Sequence, residues 1–339
     1  MPKQLTIEPS KQLITMQDDE TILQAALREG FNMPYGCRNG ACGACKGKLL
    51  CGEVSYKPNQ ATALSAADAE SGLALFCCAY PQADITIECR EIVATKDIQI
   101  KTLPCRVQKI EIVSHDVAVL SLKLPTNERL QFLAGQYIDI LMKDGKKRSF
   151  SLANAQHDDE FLQLHIRHVA GGEFSEHVFS TMKEREILRF NGPLGSFFLR
   201  EDSDKPIIFI ASGTGFAPIK SMVEHALHKG MQRQMILYWG CRSMADLYMP
   251  SLPSQWQQAH SNFTFIPVLS EPKPEESWPG RVGLVHEAVL NDFADLSGFQ
   301  VYACGAPVMV EAAHTTFTAR GLPQEEFFSD AFFLAKDLK

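Results

Sequence analysis

Cys37-Arg38-Asn39-Gly40-Ala41-Cys42-Gly43-Ala44-Cys45 spaces three cysteines with four and then two residues between them. A further cysteine, Cys77 or its neighbour Cys78, stands well downstream. That is the spacing of Cys₄ ligation of a [2Fe–2S] cluster, with one distant fourth ligand. Gly36, Gly40 and Gly43 open backbone conformations closed to other residues, so amides can turn toward cluster sulfurs. A structural zinc site or a set of free thiols is the competing reading, but Cys₄ zinc sites come as two closely spaced pairs.

Around this loop lie 339 residues, too many for one ordinary core, so two or three domains are expected. A hydrophobic content of 45% with 22% charged residues is that of a globular chain. The net charge of −7 argues against nucleic acid as a partner. Ten cysteines in a chain this long do not make a secreted disulfide scaffold; their clustering points to metal ligation in a reducing compartment. The opening Met1-Pro2-Lys3-Gln4-Leu5-Thr6 has no apolar signal region. The longest apolar runs, such as Ile207-Ile208-Phe209-Ile210-Ala211, are too short to span a bilayer. The expectation is a cytoplasmic monomer.

Residues 4–16 alternate as two short strands about Pro9-Ser10. Asp18, Asp19 and Glu20 precede an amphipathic helix over 21–29, stopped by Gly30. Strands at Lys48-Leu49-Leu50 and Asp84-Ile85-Thr86-Ile87-Glu88 complete a small module ending near Ala94. Residues 1–94 resemble a plant-type ferredoxin, whose fold is a β-grasp. The cysteine spacing carries the resemblance, together with Cys77-Cys78-Ala79-Tyr80-Pro81, which matches that family's ligand-x-Ala-Tyr-Pro. It implies Cys37, Cys42, Cys45 and Cys77 as the metal ligands. Cys51, Cys78, Cys89 and Cys105 are then most simply small buried hydrophobes.

A linker over 95–105 leads to a second domain, 106–202. Ala118-Val119-Leu120-Ser121-Leu122-Lys123-Leu124, Gln136-Tyr137-Ile138-Asp139-Ile140 and Phe161-Leu162-Gln163-Leu164-His165-Ile166 read as short strands separated by turns, an antiparallel β-barrel. Within it, Arg148-Ser149-Phe150-Ser151 resembles the Arg-x-Tyr/Phe-Ser flavin motif of the ferredoxin–NADP⁺ reductase superfamily. The length and aromatic content of the segment fit FAD better than FMN. Arg148 would pair with the diphosphate, Phe150 would pack along the isoalloxazine, and Ser151 would hydrogen-bond the flavin N5 atom. Ile166-Arg167 with Gly172, Phe174 and Ser175 match the second flavin segment.

The third domain, 203–339, changes class. Pro206-Ile207-Ile208-Phe209-Ile210-Ala211-Ser212 is a continuous apolar strand of the kind buried on both faces of a parallel sheet. It runs into Gly213-Thr214-Gly215-Phe216-Ala217-Pro218 and a helix expected over 219–229. Strand, glycine turn and helix make a phosphate-binding arrangement, with Pro218 in the first turn. Further strands at 235–239, 263–268 and 301–304, and a helix over 308–319, complete a doubly wound α/β sheet. The turn resembles the superfamily's Gly-Thr-Gly-x-Ala-Pro. Cys304-Gly305 and Met309 resemble its Cys-Gly-Pro-x-x-Met, with Ala306 in place of the proline. The resemblance places Cys304 beside the nicotinamide in a positioning role; ordinary strand-end burial is the alternative. Ser270-Glu271 stands where NADPH-using relatives carry Ser-Arg, and a carboxylate there favours NADH, although Arg242 and Arg281 supply positive charge nearby. Phe332 matches the C-terminal aromatic that covers the flavin, or else it is core.

Three such modules imply an NADH-dependent electron-transfer reductase, with flavin between a two-electron donor and a one-electron cluster. Leu133-Ala134-Gly135-Gln136-Tyr137-Ile138-Asp139, Tyr238-Trp239-Gly240 and Phe327-Phe328-Ser329-Asp330-Ala331-Phe332 extend the resemblance to the CDP-6-deoxy-3,4-glucoseen reductases. These send electrons to a pyridoxamine-phosphate-dependent dehydratase. The reductase components of mono- and dioxygenases share the same motifs, so an oxygenase is the alternative acceptor. A non-enzymatic iron–sulfur redox sensor and a free-flavin or quinone reductase are the readings from other classes.

Overall fold

The computed structural model describes residues 3–89 and 98–333. The chain divides into two compact units, one through Ile98 and one over Gln99–Phe332.

The first unit comprises β1 (Gln4–Glu8), β2 (Gln12–Thr15), α1 (Ile22–Arg28), β3 (Lys46–Cys51), β4 (Val54–Ser55), α2 (Ala66–Glu70), β5 (Leu73–Leu75), β6 (Tyr80–Pro81) and β7 (Ile85–Glu88). Five strands form one mixed sheet in the order β2-β1-β7-β3-β5, a β-grasp arrangement in which β1 and β7 run parallel. Alternation decides its faces: Leu5 and Ile7 of β1 and Ile85 and Ile87 of β7 point into the core, where Ile22, Leu23, Ala25 and Ala26 of α1 meet them. The acids before α1 do not cap it. Thr21 does, through a capping box with Gln24, while Glu20 pairs with Arg28. Gly30 ends the helix region at a φ of +77°.

The second unit opens with β8 (Lys101–Ile112), β9 (Val117–Lys123), β10 (Tyr137–Leu141), β11 (Lys147–Ser151), β12 (Leu162–Arg167), α3 (Glu173–Ser180) and β13 (Ile187–Leu194). The strands pair antiparallel in the order β11-β10-β13-β8-β9-β12. A bridge between Leu152 and Leu164 joins the two ends, so the sheet closes into a barrel. The expected linker is shorter than its 95–105 span, because β8 already begins at Lys101. Residues 95–97 of that span lie outside the described residues. Pro104 fits inside the strand because it pairs only with Arg189 of β13; pairing with β9 starts at Arg106, so the missing N–H breaks no ladder.

The same unit continues through β14 (Ile207–Ser212), α4 (Phe216–His228), β15 (Met235–Cys241), α5 (Ser251–Ala259), β16 (Phe263–Leu269), β17 (Arg281–Val282), α6 (Val285–Asp292), β18 (Gln300–Gly305), α7 (Pro307–Thr318) and β19 (Phe327–Ala331). Six parallel strands lie in the order β17-β16-β15-β14-β18-β19. Phe209 of β14 packs with Phe216, Ile219 and Trp256 on one side; Ile208 and Ile210 pack with Val289, Ala313 and Phe317 on the other. Helices therefore cover both faces, and the apolar run of β14 needs no alternation. Strand order reverses between β14 and β18, so a crevice opens at their C-terminal ends. Helix α4 starts at Phe216, three residues before the expected 219, and Pro218 remains in its first turn.

Candidate functional site

In the first unit the loop between α1 and β3, with Cys77 from the turn between β5 and β6, gathers four cysteines as two pairs. Cys37 pairs with Cys42 and Cys45 with Cys77 through their side chains. The Cys37 and Cys42 amides each donate to the other's sulfur at 3.3 Å. The Cys42 thiol, aided by the amides of Asn39, Cys42 and Ala41, draws the Cys37 pKa down to about 6. The Cys45 thiol, then that of Cys78 and the Gly40 amide, draws Cys77 down to about 4. Cys42 and Cys45 are pushed up by those same thiolates. Sulfurs in two pairs, ringed by N–H donors, fit a two-iron cluster with two thiolates per iron. Gly40 has a φ of +82°, and a Cβ there would lie 2.6 Å from the Ala61 nitrogen, so only glycine lets this loop close. Cys78 is buried and its thiol donates to the Leu75 carbonyl. Cys105 is also buried and Cys89 half-buried, but Cys51 is exposed on β3, contrary to the expectation of burial.

On the barrel, β11 sets Ser149 opposite Asp139 and Ser151 opposite Tyr137. The Ser149 hydroxyl donates to the Asp139 carboxylate at 2.7 Å. Ser151 is buried, whereas Arg148 and Phe150 are half-buried. Phe150 stands 5.1 Å from the Phe174 ring. Ile166 is fully buried in the barrel core, so only its backbone can face a ligand. Arg167 ends β12 and is held by Asp116 at 2.7 Å. The motif at Gly172 opens α3, and Ser175 bonds within that turn to Val169 and Gly172.

At the crevice of the parallel sheet, Gly213-Thr214-Gly215 forms a single 3₁₀ turn leading straight into α4. A Cβ on Gly215 would lie 2.1 Å from the Cys304 carbonyl oxygen. One on Gly305 would lie 2.2 Å from the Ser212 hydroxyl, which accepts from the Ala306 amide at 2.8 Å. Glycines thus bring the ends of β14 and β18 into backbone contact. Cys304 is buried, and burial holds its thiol well above the ordinary range. Met309 is buried with α7, and the Phe332 amide donates to the Gly305 carbonyl at 2.8 Å. Ser270 and Glu271 sit farther along the same edge, their amides bonded to Cys241 and Arg242. Arg281 is paired with Asp292 at 2.7 Å.

Three family models match in sequence along the chain: a 2Fe-2S iron-sulfur cluster binding domain over residues 5–82, an oxidoreductase FAD-binding domain over 104–199 and an oxidoreductase NAD-binding domain over 209–315. The CDP-6-deoxy-L-threo-D-glycero-4-hexulose-3-dehydrase reductase of Yersinia pseudotuberculosis is 42% identical over 99% of this chain and 100% of its own length. This chain belongs to the iron–sulfur flavoprotein reductases. The reductase component 1 of terephthalate 1,2-dioxygenase from a Comamonas species is 33% identical, covering 98% of each chain. The crystal structure of the Amycolatopsis cytochrome P450 reductase GcoB superposes with a TM-score of 0.79 at 32% identity, covering 97% of this chain and 98% of that one.

As a reductase of this family, the chain carries domains for a [2Fe–2S] cluster, FAD and NAD in the order of an electron chain from nicotinamide through flavin to cluster. Among the described residues, no helix is long and apolar enough to cross a membrane. Sequence motifs did not single out Trp239, Asp116, Asp246 or Lys220 as site residues. Trp239 bonds the Gly213 carbonyl, Asp116 and Asp246 flank Arg167, and Lys220 donates to the Ala153 carbonyl just past Ser151. Their signal is tertiary: each bonds a motif residue or its neighbour from a distant element.

Proposed function

We propose that this reductase takes electrons from NADH and delivers them to a pyridoxamine-phosphate-dependent dehydratase of deoxy-sugar synthesis. The observation that carries the internal route is the meeting of barrel and sheet at one residue: a Cβ on Gly213 would lie 2.7 Å from the Arg167 guanidinium. The flavin segment and the dinucleotide turn are therefore neighbours. FAD accepts two electrons together and releases them singly, the chemistry that links a nicotinamide to a one-electron cluster.

The chain's own residues hold and orient these groups. Arg148 would grip the flavin diphosphate, with Ser149, Gly172, Phe174 and Ser175 shaping the surrounding strand and turn, while Phe150 would pack on the ring and the Ser151 hydroxyl would hydrogen-bond it. Gly213, Thr214, Gly215 and Pro218 bring the α4 N-terminus to the dinucleotide phosphates. Cys304, kept a neutral thiol by burial, positions the nicotinamide rather than attacking it. Phe332, tied to Gly305 and half-buried against the core of the sheet, would serve as the displaceable aromatic. Cys37, Cys42, Cys45 and Cys77 would hold the cluster. The ferredoxin domain would span 1–94, the barrel domain from the start of β8 to about residue 202 and the nucleotide domain 203–339, with residues 90–94 and 334–339 outside the described residues. Glu271 favours NADH, supported by the engagement of Arg281 with Asp292. We propose a monomer in the cytoplasm.

The higher identity to the hexulose-dehydrase reductase than to the dioxygenase component, 42% against 33%, favours the sugar acceptor over an oxygenase. Reconstitution tests it. NADH oxidation should be coupled to 3-deoxygenation when the reductase is mixed with such a dehydratase and its CDP-hexulose substrate. Coupling only to an aromatic-ring oxygenase would overturn the assignment.

A further inference from the structure

We infer that Trp239 is a positioning residue for the dinucleotide turn, resting on the reading above that Gly213–Gly215 binds the cofactor. Trp239 lies on β15, fully buried, and its indole N–H donates to the Gly213 carbonyl at 3.0 Å. The same carbonyl accepts from the Phe216 amide, which closes the 3₁₀ turn. A peptide unit is planar and trans, so its carbonyl and N–H point to opposite sides. With the Gly213 carbonyl turned inward onto the indole, the Thr214 N–H of that unit is turned outward, where an anionic ligand can use it.

The rest of the surroundings hold that orientation. The indole is stacked on Phe216, with ring centroids 4.0 Å apart, and is met edge-on by Tyr248 at 5.1 Å. On its other side Gly213 lies against Arg167, which Asp116 holds at 2.7 Å. Gly213 itself has a φ of +52°, open to glycine and avoided by most other residues, so the turn keeps this shape only with glycine here. The Trp239 bond connects the turn to the rigid centre of the sheet.

The test uses the holoenzyme, with calorimetric titration of NAD⁺ and amide hydrogen exchange of the segment 213–217. Trp239→Phe, and a site-specific benzothienylalanine that keeps the bicyclic volume but lacks the N–H, are compared with Phe265→Leu. The last loosens packing beside the indole and leaves its N–H in place. Loss of one neutral hydrogen bond predicts about fivefold weaker NAD⁺ binding and higher KM for NADH in both indole variants, with kcat nearly unchanged and flavin content intact. Phe265→Leu should bind as the wild type does. Wild-type affinity in the benzothienylalanine protein, or equal weakening in Phe265→Leu, would overturn the role of the N–H. Absence of NAD⁺-induced protection of 213–217 in the wild type would instead remove the underlying site assignment.

Discussion

At the residue scale, adjacent cysteines give the sharpest contrast. Cys77 bonds the side chains of both Cys45 and Cys78, and the Cys78 thiol also donates to the Leu75 carbonyl. Cys78→Ser should keep the cluster's visible spectrum and its electron paramagnetic resonance signal, whereas Cys77→Ser should lose or shift both. An unchanged Cys77→Ser spectrum would remove Cys77 from the ligand set. Spacing alone leaves these two cysteines equivalent; the resemblance to the ligand-x-Ala-Tyr-Pro motif is what singles out Cys77. A second residue-scale effect follows from backbone approach. Gly215→Ala places a Cβ against the Cys304 carbonyl, 2.1 Å away, and backbone cannot rotate aside as a side chain can. The expected cost is about 2 kcal/mol of stability together with loss of NAD⁺ binding, read by thermal melting and calorimetry. The exposure of Cys51 was not legible, because Cys51 ends β3 just past a register shift against β7 that local alternation does not encode.

At the element scale, β12 is tied to the chain after β15 by a hydrogen bond of 2.8 Å between His165 and Tyr248. Burial, reinforced by the field of Lys220, lowers the His165 pKa from 6.5 to about 3. The unfolded chain then binds a proton that the folded chain refuses, so stability is present above pH 6.5 and is lost as pH falls toward 3. The slope from this group is at most about 1.4 kcal/mol per pH unit. His165→Gln keeps a partner for Tyr248 and removes the titration, so urea midpoints should depend less steeply on pH between 6.5 and 4. Tryptophan fluorescence follows it directly, because Trp239, Trp256 and Trp278 all lie in this unit. An unaltered slope would show that His165 does not carry the effect. Strongly patterned elements were legible: β14 from its continuous apolar run, β9 and β12 from alternation, α1 from its apolar face. The start of β8 was not, since Pro104 reads as a breaker until the absence of a second neighbour at that point is seen. Nor was α3, whose Gly172 start reads as a turn, or β19, which joins the sheet only through its register with β18.

At the scale of the whole molecule, module order was legible because each module carries a local signal: cysteine spacing, the Arg148–Ser151 strand and the Gly213–Gly215 turn. What joins the modules chemically was less so. Arg167 against Gly213, and Lys220 reaching the Ala153 carbonyl, are contacts between elements far apart in sequence, which no local pattern encodes. Cofactor preference belongs to this scale too. With Glu271 at the sheet edge and Arg281 engaged by Asp292, kcat/KM should favour NADH over NADPH by at least about tenfold, and Glu271→Arg should narrow that ratio. On the proposed route, electrons enter at the sheet crevice and leave at the cysteine loop. An anaerobic NADH titration, followed by visible absorbance and electron paramagnetic resonance, tests it most directly. The flavin bands should bleach together with the appearance of a reduced [2Fe–2S] signal; bleaching of the flavin with the cluster left oxidised would contradict this route.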